Sequence, residues 1–269
     1  MTASIVISTY NWKEALELTL LSAARQTVLP KEVIIADDGS RSDTRELIDR
    51  MRPAMPFPLI HVWQEDKGFR RALAMNQAFA RLTADIVINI DGDIIMERHF
   101  VEDHLRYARP GYYLSGSRSK LTQRLNDRFF AARDYNLHWY SPGLRRRMNA
   151  LRLPWLTPLF IVLLKDYDHG RGCNMSFWLK DLLAVNGYDG DMIGYGNEDT
   201  DLMARISAMG VKKRFVKFSC IQYHIHHKEV PSKSDKASWR HNINLQESNE
   251  ANRVIRVKNG IDRFLAAGD

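Results

Sequence analysis

The sequence predicts an α/β protein, a mostly parallel sheet flanked by helices, with a basic, partly helical insertion and a C-terminal helix. Three observations predict it. Over the first 110 residues short apolar runs alternate with segments of helical period, the pattern of strands joined by crossover helices. Three of those runs end in polar turns, at Thr9-Tyr10-Asn11, Asp37-Asp38-Gly39-Ser40 and Asp91-Gly92-Asp93. The 269 residues are 45% hydrophobic and 26% charged, enough apolar material for a large core and unlike a disordered or fibrous chain.

Taken in order, strands are expected at 4–8, 33–36, 59–63 and 86–90, and helices at 15–25, 44–51, 72–82 and 99–107. In the third helix Phe69, Ala72, Leu73, Asn76, Phe79 and Ala80 share one stripe, with Asn76 as its polar member. After Gly111 the alternation lapses, and residues 111–170 mix aromatic, Arg and Leu residues with Pro142, Pro154 and Pro158. Order resumes at 172–185, followed by a glycine-rich loop at 187–196, a helix near 199–209 and a strand at 214–220. The tail from 239 to 265 has helical character. Four regions follow: 1–110, the alternating strand–helix half; 111–170, an insertion or acceptor-side subdomain; 171–230, a second ordered half; and 231–269, a helical tail.

The net charge of +7 is local. Residues 118–152 hold nine basic side chains against two acidic ones, and the other 234 residues are neutral in sum. Trp155, Leu156 and the run 160–164 follow directly, a composition suited to an anionic membrane surface contacted through residues 118–164. The most hydrophobic window, 155–164, is ten residues with Pro158 inside, against the ~20 that a spanning helix needs. No charged leader with an apolar stretch precedes the first strand, so a cytoplasmic, membrane-peripheral location is expected. Cys173 and Cys220 are too few for a disulfide framework and read as reduced thiols. No nucleic-acid-binding module frames the basic patch.

In open α/β sheets ligands bind beyond the carboxyl ends of strands, so two acidic strand ends in one parallel sheet should open on one edge. Asp91-Gly92-Asp93 suits a divalent cation bridging to phosphates, although Asp-Gly is also an ordinary turn. Asp37 and Asp38 suit a ribose or base, or else cap the next helix. Gly68-Phe69-Arg70-Arg71 opens a helix, where a guanidinium favours diphosphate. Glu198 and Asp199 either cap their helix or supply a general base and a grip on an acceptor. If the strand continues that far, alternation places His224 and His226 on one face and His227 on the other, so at most two of the three share a metal.

Ser8-Thr9-Tyr10-Asn11, Asp37-Asp38-Gly39-Ser40, Gly68-Phe69-Arg70 with Asn76, Asp91-Gly92-Asp93, Glu198-Asp199 and Tyr223-His224 occur in the order found in family 2 glycosyltransferases of the GT-A fold, which the chain resembles. The stretch from Gly172-Cys173-Asn174-Met175 to the histidines is similar to the galactosyltransferase-type half of β-1,4-galactosyltransferases and chondroitin polymerase. The resemblance implies inverting sugar transfer from a UDP-linked donor with Mn²⁺ or Mg²⁺ to a glycan or glycolipid acceptor, in bacterial envelope polysaccharide or lipopolysaccharide synthesis. It assigns Thr9, Tyr10, Asn11, Asp37, Asp38, Arg70, Asn76, Asp91, Gly92 and Asp93 to the nucleotide sugar. Asp91, Asp93, His224 and His227 become the metal candidates, Asp199 the base, Glu198 its acceptor-holding neighbour, and Tyr195, Gly196 and Asn197 the rest of the acceptor site.

Two other functions compete. A sugar-nucleotide nucleotidyltransferase needs a glycine-rich triphosphate loop after the first strand, and Ser8-Thr9-Tyr10-Asn11-Trp12 has no glycine. A non-enzymatic membrane-surface protein on the same scaffold needs a broken site, whereas Asp91, Asp93, Asp199 and His224 are all present.

Overall fold

The computed structural model describes residues 1–132, 136–164, 172–227 and 236–265. The expected alternation is there: β1 (Ala3–Thr9), α1 (Lys13–Ala24), β2 (Glu32–Asp37), α2 (Ser42–Met51), β3 (Leu59–Trp63), α3 (Arg71–Phe79), β4 (Ile86–Asp91), β5 (Ile94–Met96) and α4 (Phe100–Tyr107). Then come β6 (Tyr112–Ser115), β7 (Ser117–Leu121), α5 (Gln123–Ala132), β8 (Leu144–Arg145) and α6 (Thr157–Leu163). The chain continues through β9 (Met175–Trp178), α7 (Leu179–Ala184), α8 (Glu198–Ala208), β10 (Lys212–Phe215), β11 (Ile221–His224), α9 (Lys236–Ala251) and α10 (Asp262–Leu265).

Seven strands form the central sheet in the order β10-β6-β9-β4-β1-β2-β3. Only β9 runs antiparallel to its neighbours. Ile5 and Ile7 of β1 pack with Leu16 and Leu20 of α1, Ile48 of α2 and Phe100 of α4. Val6 faces the other way, toward Met75 and Phe79 of α3, Leu182 of α7 and Leu202 and Ile206 of α8. A strand covered on both faces has no polar side to show, which is why the centre of β1, Ile5-Val6-Ile7, reads as an unbroken apolar run.

A second sheet, β5-β11-β7-β8, stands against the carboxyl edge of the first and carries the histidines. β11 pairs parallel with β7 and antiparallel with β5, so His224 lies opposite both Lys120 and Ile94.

The structure departs from the sequence reading in three places. Residues 112–115 are a strand of the central sheet, so the body of the fold reaches into the region read as an insertion. The strand expected at 214–220 is strand only to Phe215, the end of β10; Phe218 (φ 66°) and Cys220 (φ 50°) then turn the chain through left-handed backbone into β11 of the other sheet. The tail is two helices, and Asn249 of the first ties it to the body by donating to Asp189 and Asp201 at 3.1 and 2.9 Å. The stretch 228–236, rich in Lys, Ser and Pro and read from its composition as a linker ahead of the tail, lies almost wholly outside the described residues.

Candidate active site

β1 and β4 end side by side with Ser8 opposite Asp91, and α8 begins close by at Glu198. Arg71, the first residue of α3, joins them. Its Nη2 lies 3.4 Å from Asp91 Oδ1, and its Nη1 lies 3.3 Å from Asp199 Oδ1 and 3.6 Å from Glu198 Oε1. Burial works against the charge, but Asp199, Asp91 and Glu198 hold the guanidinium protonated well above its ordinary range. Three carboxylates that would repel one another are thus fixed around one cation.

Tyr188 completes this centre. Its hydroxyl donates to Asp199 Oδ1 at 2.8 Å, and the Arg71 guanidinium sits 5.6 Å from the centre of its ring. Burial, then the Asp199 charge, pushes the phenol well above its usual range, so it stays a donor. Asn76 fixes the Tyr188 backbone from both sides, donating to its carbonyl at 2.8 Å and accepting its N–H at 2.9 Å.

The two neighbouring carboxylates differ. The Glu198 side chain is 10% exposed and the Asp199 side chain 27%. Glu198 accepts the Gly196 N–H, and burial followed by the nearby Asp199 raises its carboxyl to about 7. Asp199 is therefore the one open to an incoming hydroxyl. The Gly172 backbone passes so close to it that a Cβ there would overlap the Asp199 carboxylate.

Asp93 Oδ2 lies 3.4 Å from His224 Nε2 and 3.3 Å from His227 Nε2. One ligand atom from each of these residues falls within 4.8 Å of the others. Asp93 Oδ1 is buried without a hydrogen-bond partner, and burial lowers the His224 pKa, keeping the imidazole neutral with a free lone pair. Two imidazoles and a carboxylate suit Mn²⁺ better than Mg²⁺, which prefers oxygen ligands and retains its waters. Strand alternation fails here because β11 ends at His224; the chain then turns and brings His227 back. His226 is held aside, its backbone exchanging hydrogen bonds with the Asn126 side chain.

A second polar cluster lies at the ends of β1, β2 and β3. Asp38 accepts from Gln64 Nε2 at 2.5 Å and from the Arg70 backbone N–H at 2.7 Å, while burial raises its carboxyl. Tyr10, half exposed, donates to Asp66 at 2.9 Å.

Residues 4–160, more than half of the chain, match the pattern of glycosyl transferase family 2. The chain belongs to glycosyl transferase family 2. Residues 164–228 match the N-terminal domain of galactosyltransferase. Validoxylamine A glucosyltransferase of Streptomyces hygroscopicus subsp. limoneus is 26% identical across 97% of this chain, which spans 56% of that relative's length. Chondroitin synthase of Escherichia coli is 24% identical over 90% of this chain and 37% of its own. The fold is shared with a Pyrobaculum calidifontis mannosyltransferase in complex with GDP-Man and Mn²⁺, at TM-score 0.59 and 20% identity over 98% of this chain and 68% of that one. It is also shared with GalNAc-T7 bound to UDP, GalNAc and Mn²⁺, at TM-score 0.66 and 15% identity over 93% of this chain and 48% of that one.

In this family 2 chain the structure brings Asp91, Asp93, Asp199, Glu198, His224 and His227 to one edge, and Thr9, Tyr10, Asp38 and Arg70 beside them. It sets others apart. Asp37 is spent on the Ser40 N–H and on His61, Asn11 on the Arg41 N–H, and Asn76 on Tyr188. Asp91 stands outside the Asp93-His224-His227 group, on Arg71 and Ser8. Gly92 is needed for contact, since a Cβ there would meet the Ser8 carbonyl at 3.0 Å. In the loop before α8, Tyr195 is exposed and packs edge-on against Phe69, while Asn197 turns to Gln246 and the Gly196 carbonyl to Asn242, fastening the loop to α9.

The sequence reading names Arg71 only as part of the helix start and does not single out Tyr188 or Arg118. Arg70 was preferred to its neighbour, but Arg70 lies before the helix with its guanidinium on the Glu65 carbonyl. The useful signal was the start of α3, because its first residue faces the sheet edge. The basic segment also divides: Arg118 and Arg152 turn inward, Arg152 onto Asp103 at 2.8 Å, while Arg145, Arg146 and Arg147 are exposed.

Proposed function

We propose that this chain catalyses inverting, metal-dependent transfer of a sugar from a UDP-linked donor to a hydroxyl of a glycan acceptor. The observation that carries the reading is the pairing of one accessible carboxylate, Asp199, with an Asp93-His224-His227 group on the same sheet edge. Tyr10, Asp38 and Arg70 line the nucleoside side. A divalent ion held by Asp93, His224 and His227 supplies positive charge to the diphosphate of the donor.

An acceptor hydroxyl with a pKa near ~15 is a weak nucleophile, and a positioned base contributes ~10²–10⁴-fold. Asp199 takes that proton as the acceptor oxygen bonds to the anomeric carbon and the bond from that carbon to the diphosphate oxygen breaks, its electron pair leaving with UDP. Tyr188 and Arg71 hold its Oδ1 in place, so the carboxylate need not reorient. Glu198, buried and with its carboxyl raised to about 7, is poorly suited to attack as a second nucleophile, and a single displacement inverts the configuration.

We place the acceptor on a lipid carrier in bacterial envelope polysaccharide or lipopolysaccharide synthesis, at the inner face of the cytoplasmic membrane. Support comes from the exposed Trp155 (73%), Val162 (67%) and Leu163 (63%) beside Arg145, Arg146 and Arg147, with no Asp or Glu between residues 135 and 165. Among the described residues no helix is long and apolar enough to cross a membrane.

The test is a panel of UDP-, GDP- and ADP-sugars with Mn²⁺, read by thermal stabilisation and by release of the nucleotide. UDP-sugars should stabilise and be turned over, with product of inverted anomeric configuration by NMR. No stabilisation and no turnover with any of them would overturn the reading.

A further inference from the structure

Arg118 comes from the basic segment yet faces the catalytic edge. On β7 it pairs with Gln222 of β11, two residues before His224. Its Nη1 reaches the Cys173 sulfur at 3.4 Å, and Gln222 Nε2 donates to the same sulfur at 3.3 Å. The Arg118 charge acts on His224, one of the metal candidates, and on Tyr195 of the acceptor loop. Cys173 in turn feels Asp91, Asp93 and Asp199, so the guanidinium stands beside the centre described above.

What sets Arg118 apart is its missing counter-charge. Arg71, Arg152 and Arg205 are inward-turned arginines held by the carboxylates of Asp91 and Asp199, of Asp103, and of Asp201. Among the described residues no carboxylate lies within ion-pair distance of Arg118, and its Nε is buried without a hydrogen-bond partner. The thiol is no substitute. Burial pushes Cys173 up to about 12, so the sulfur is neutral. An inward guanidinium without an anion is costly, and the fork of N–H donors matches phosphate geometry.

We propose that Arg118 is a catalytic residue that grips the terminal phosphate of the donor diphosphate and holds it as it departs. This rests on the donor chemistry proposed above. Arg71, saturated by its carboxylates, organises the base, whereas Arg118 has an unpartnered Nε and only a neutral thiol on Nη1, which leaves it able to take an arriving anion. Charge on the leaving oxygen grows as the glycosidic bond breaks, so a contact there strengthens in the transition state.

The test uses the full chain with Mn²⁺ and calorimetric titration of UDP, UMP and uridine into wild type, Arg118→Met and Arg118→Lys. Arg118→Met should lose roughly ten- to hundredfold in UDP affinity, the usual range for a charge-assisted hydrogen bond, and less than about threefold for UMP and uridine. Arg118→Lys should recover part of the loss. The melting midpoint of nucleotide-free Arg118→Met should equal or exceed that of wild type, because a charge without a partner has been removed. Unchanged UDP affinity in Arg118→Met overturns the proposal, and a rise in acceptor KM alongside it would move the anion to the acceptor. Equal losses for UDP and uridine overturn it as well, marking a general defect of the pocket. Wild type that binds no UDP at all removes the donor reading and this proposal with it.

Discussion

Replacing Glu198 with Gln should stabilise the protein, and by an amount that depends on pH in a defined direction. Burial, reinforced by Asp199 and partly offset by Arg71, raises the Glu198 carboxyl from its ordinary 4.5 to about 7. The folded value lies above the unfolded one, so the folded state holds this proton more tightly. Stability is lost as pH rises from about 4.5 through about 7; the loss is complete above that and absent below 4.5. A displacement of this size corresponds to about 3 kcal/mol. Gln cannot ionise, and its amide oxygen can still accept the Gly196 N–H. Urea unfolding in chelator should therefore find Glu198→Gln more stable than wild type by about 2–3 kcal/mol at pH 8 and nearly equal at pH 4.5. A difference flat across that range, or a less stable variant at pH 8, would refute the assignment of Glu198 as a buried carboxyl strained by its neighbour.

Asn76→Ala strips both hydrogen bonds from the buried Tyr188 backbone and should cost about 2–4 kcal/mol by chemical denaturation; a loss below about 0.5 kcal/mol would mean that Asn76 is not the clamp. His224→Ala should weaken calorimetric Mn²⁺ binding by at least about tenfold while His226→Ala leaves it unchanged, and similar values for both would dissolve the Asp93-His224-His227 group. Wild type should sediment with anionic vesicles more than with neutral ones, and Trp155→Ser with Leu163→Ser should lower that binding; absence of binding to both vesicles would remove the membrane surface.

The strands of the first half were legible because helices cover both faces of the sheet, so the centres of β1, β2 and β4, at 5–7, 33–36 and 86–88, are apolar without a break. The site was legible where short motifs sit at strand ends, as with Asp91 and Asp93. It was not legible where the chemistry depends on distant segments meeting. Tyr188 lies 112 residues from Asn76, which holds it, and no local signal marks it as the partner of Asp199. Arg118 was hidden by its neighbours in sequence, because a run of basic residues looks like one solvated face until β7 turns a single member inward. Which two histidines meet was not legible for a related reason. Alternation holds only while a strand lasts, and β11 stops at His224, three residues before His227 swings back to Asp93.

The most direct measurement is Asp199→Asn, followed in parallel by calorimetric UDP binding with Mn²⁺ and by the rate of sugar transfer to a glycan acceptor. Asn keeps the shape of the side chain and an oxygen for the Tyr188 hydroxyl, but it takes no proton. UDP affinity should stay within about threefold of wild type while transfer falls by ~10²–10⁴-fold. Full transfer by Asp199→Asn would contradict the account, since the group deprotonating the acceptor would then be another.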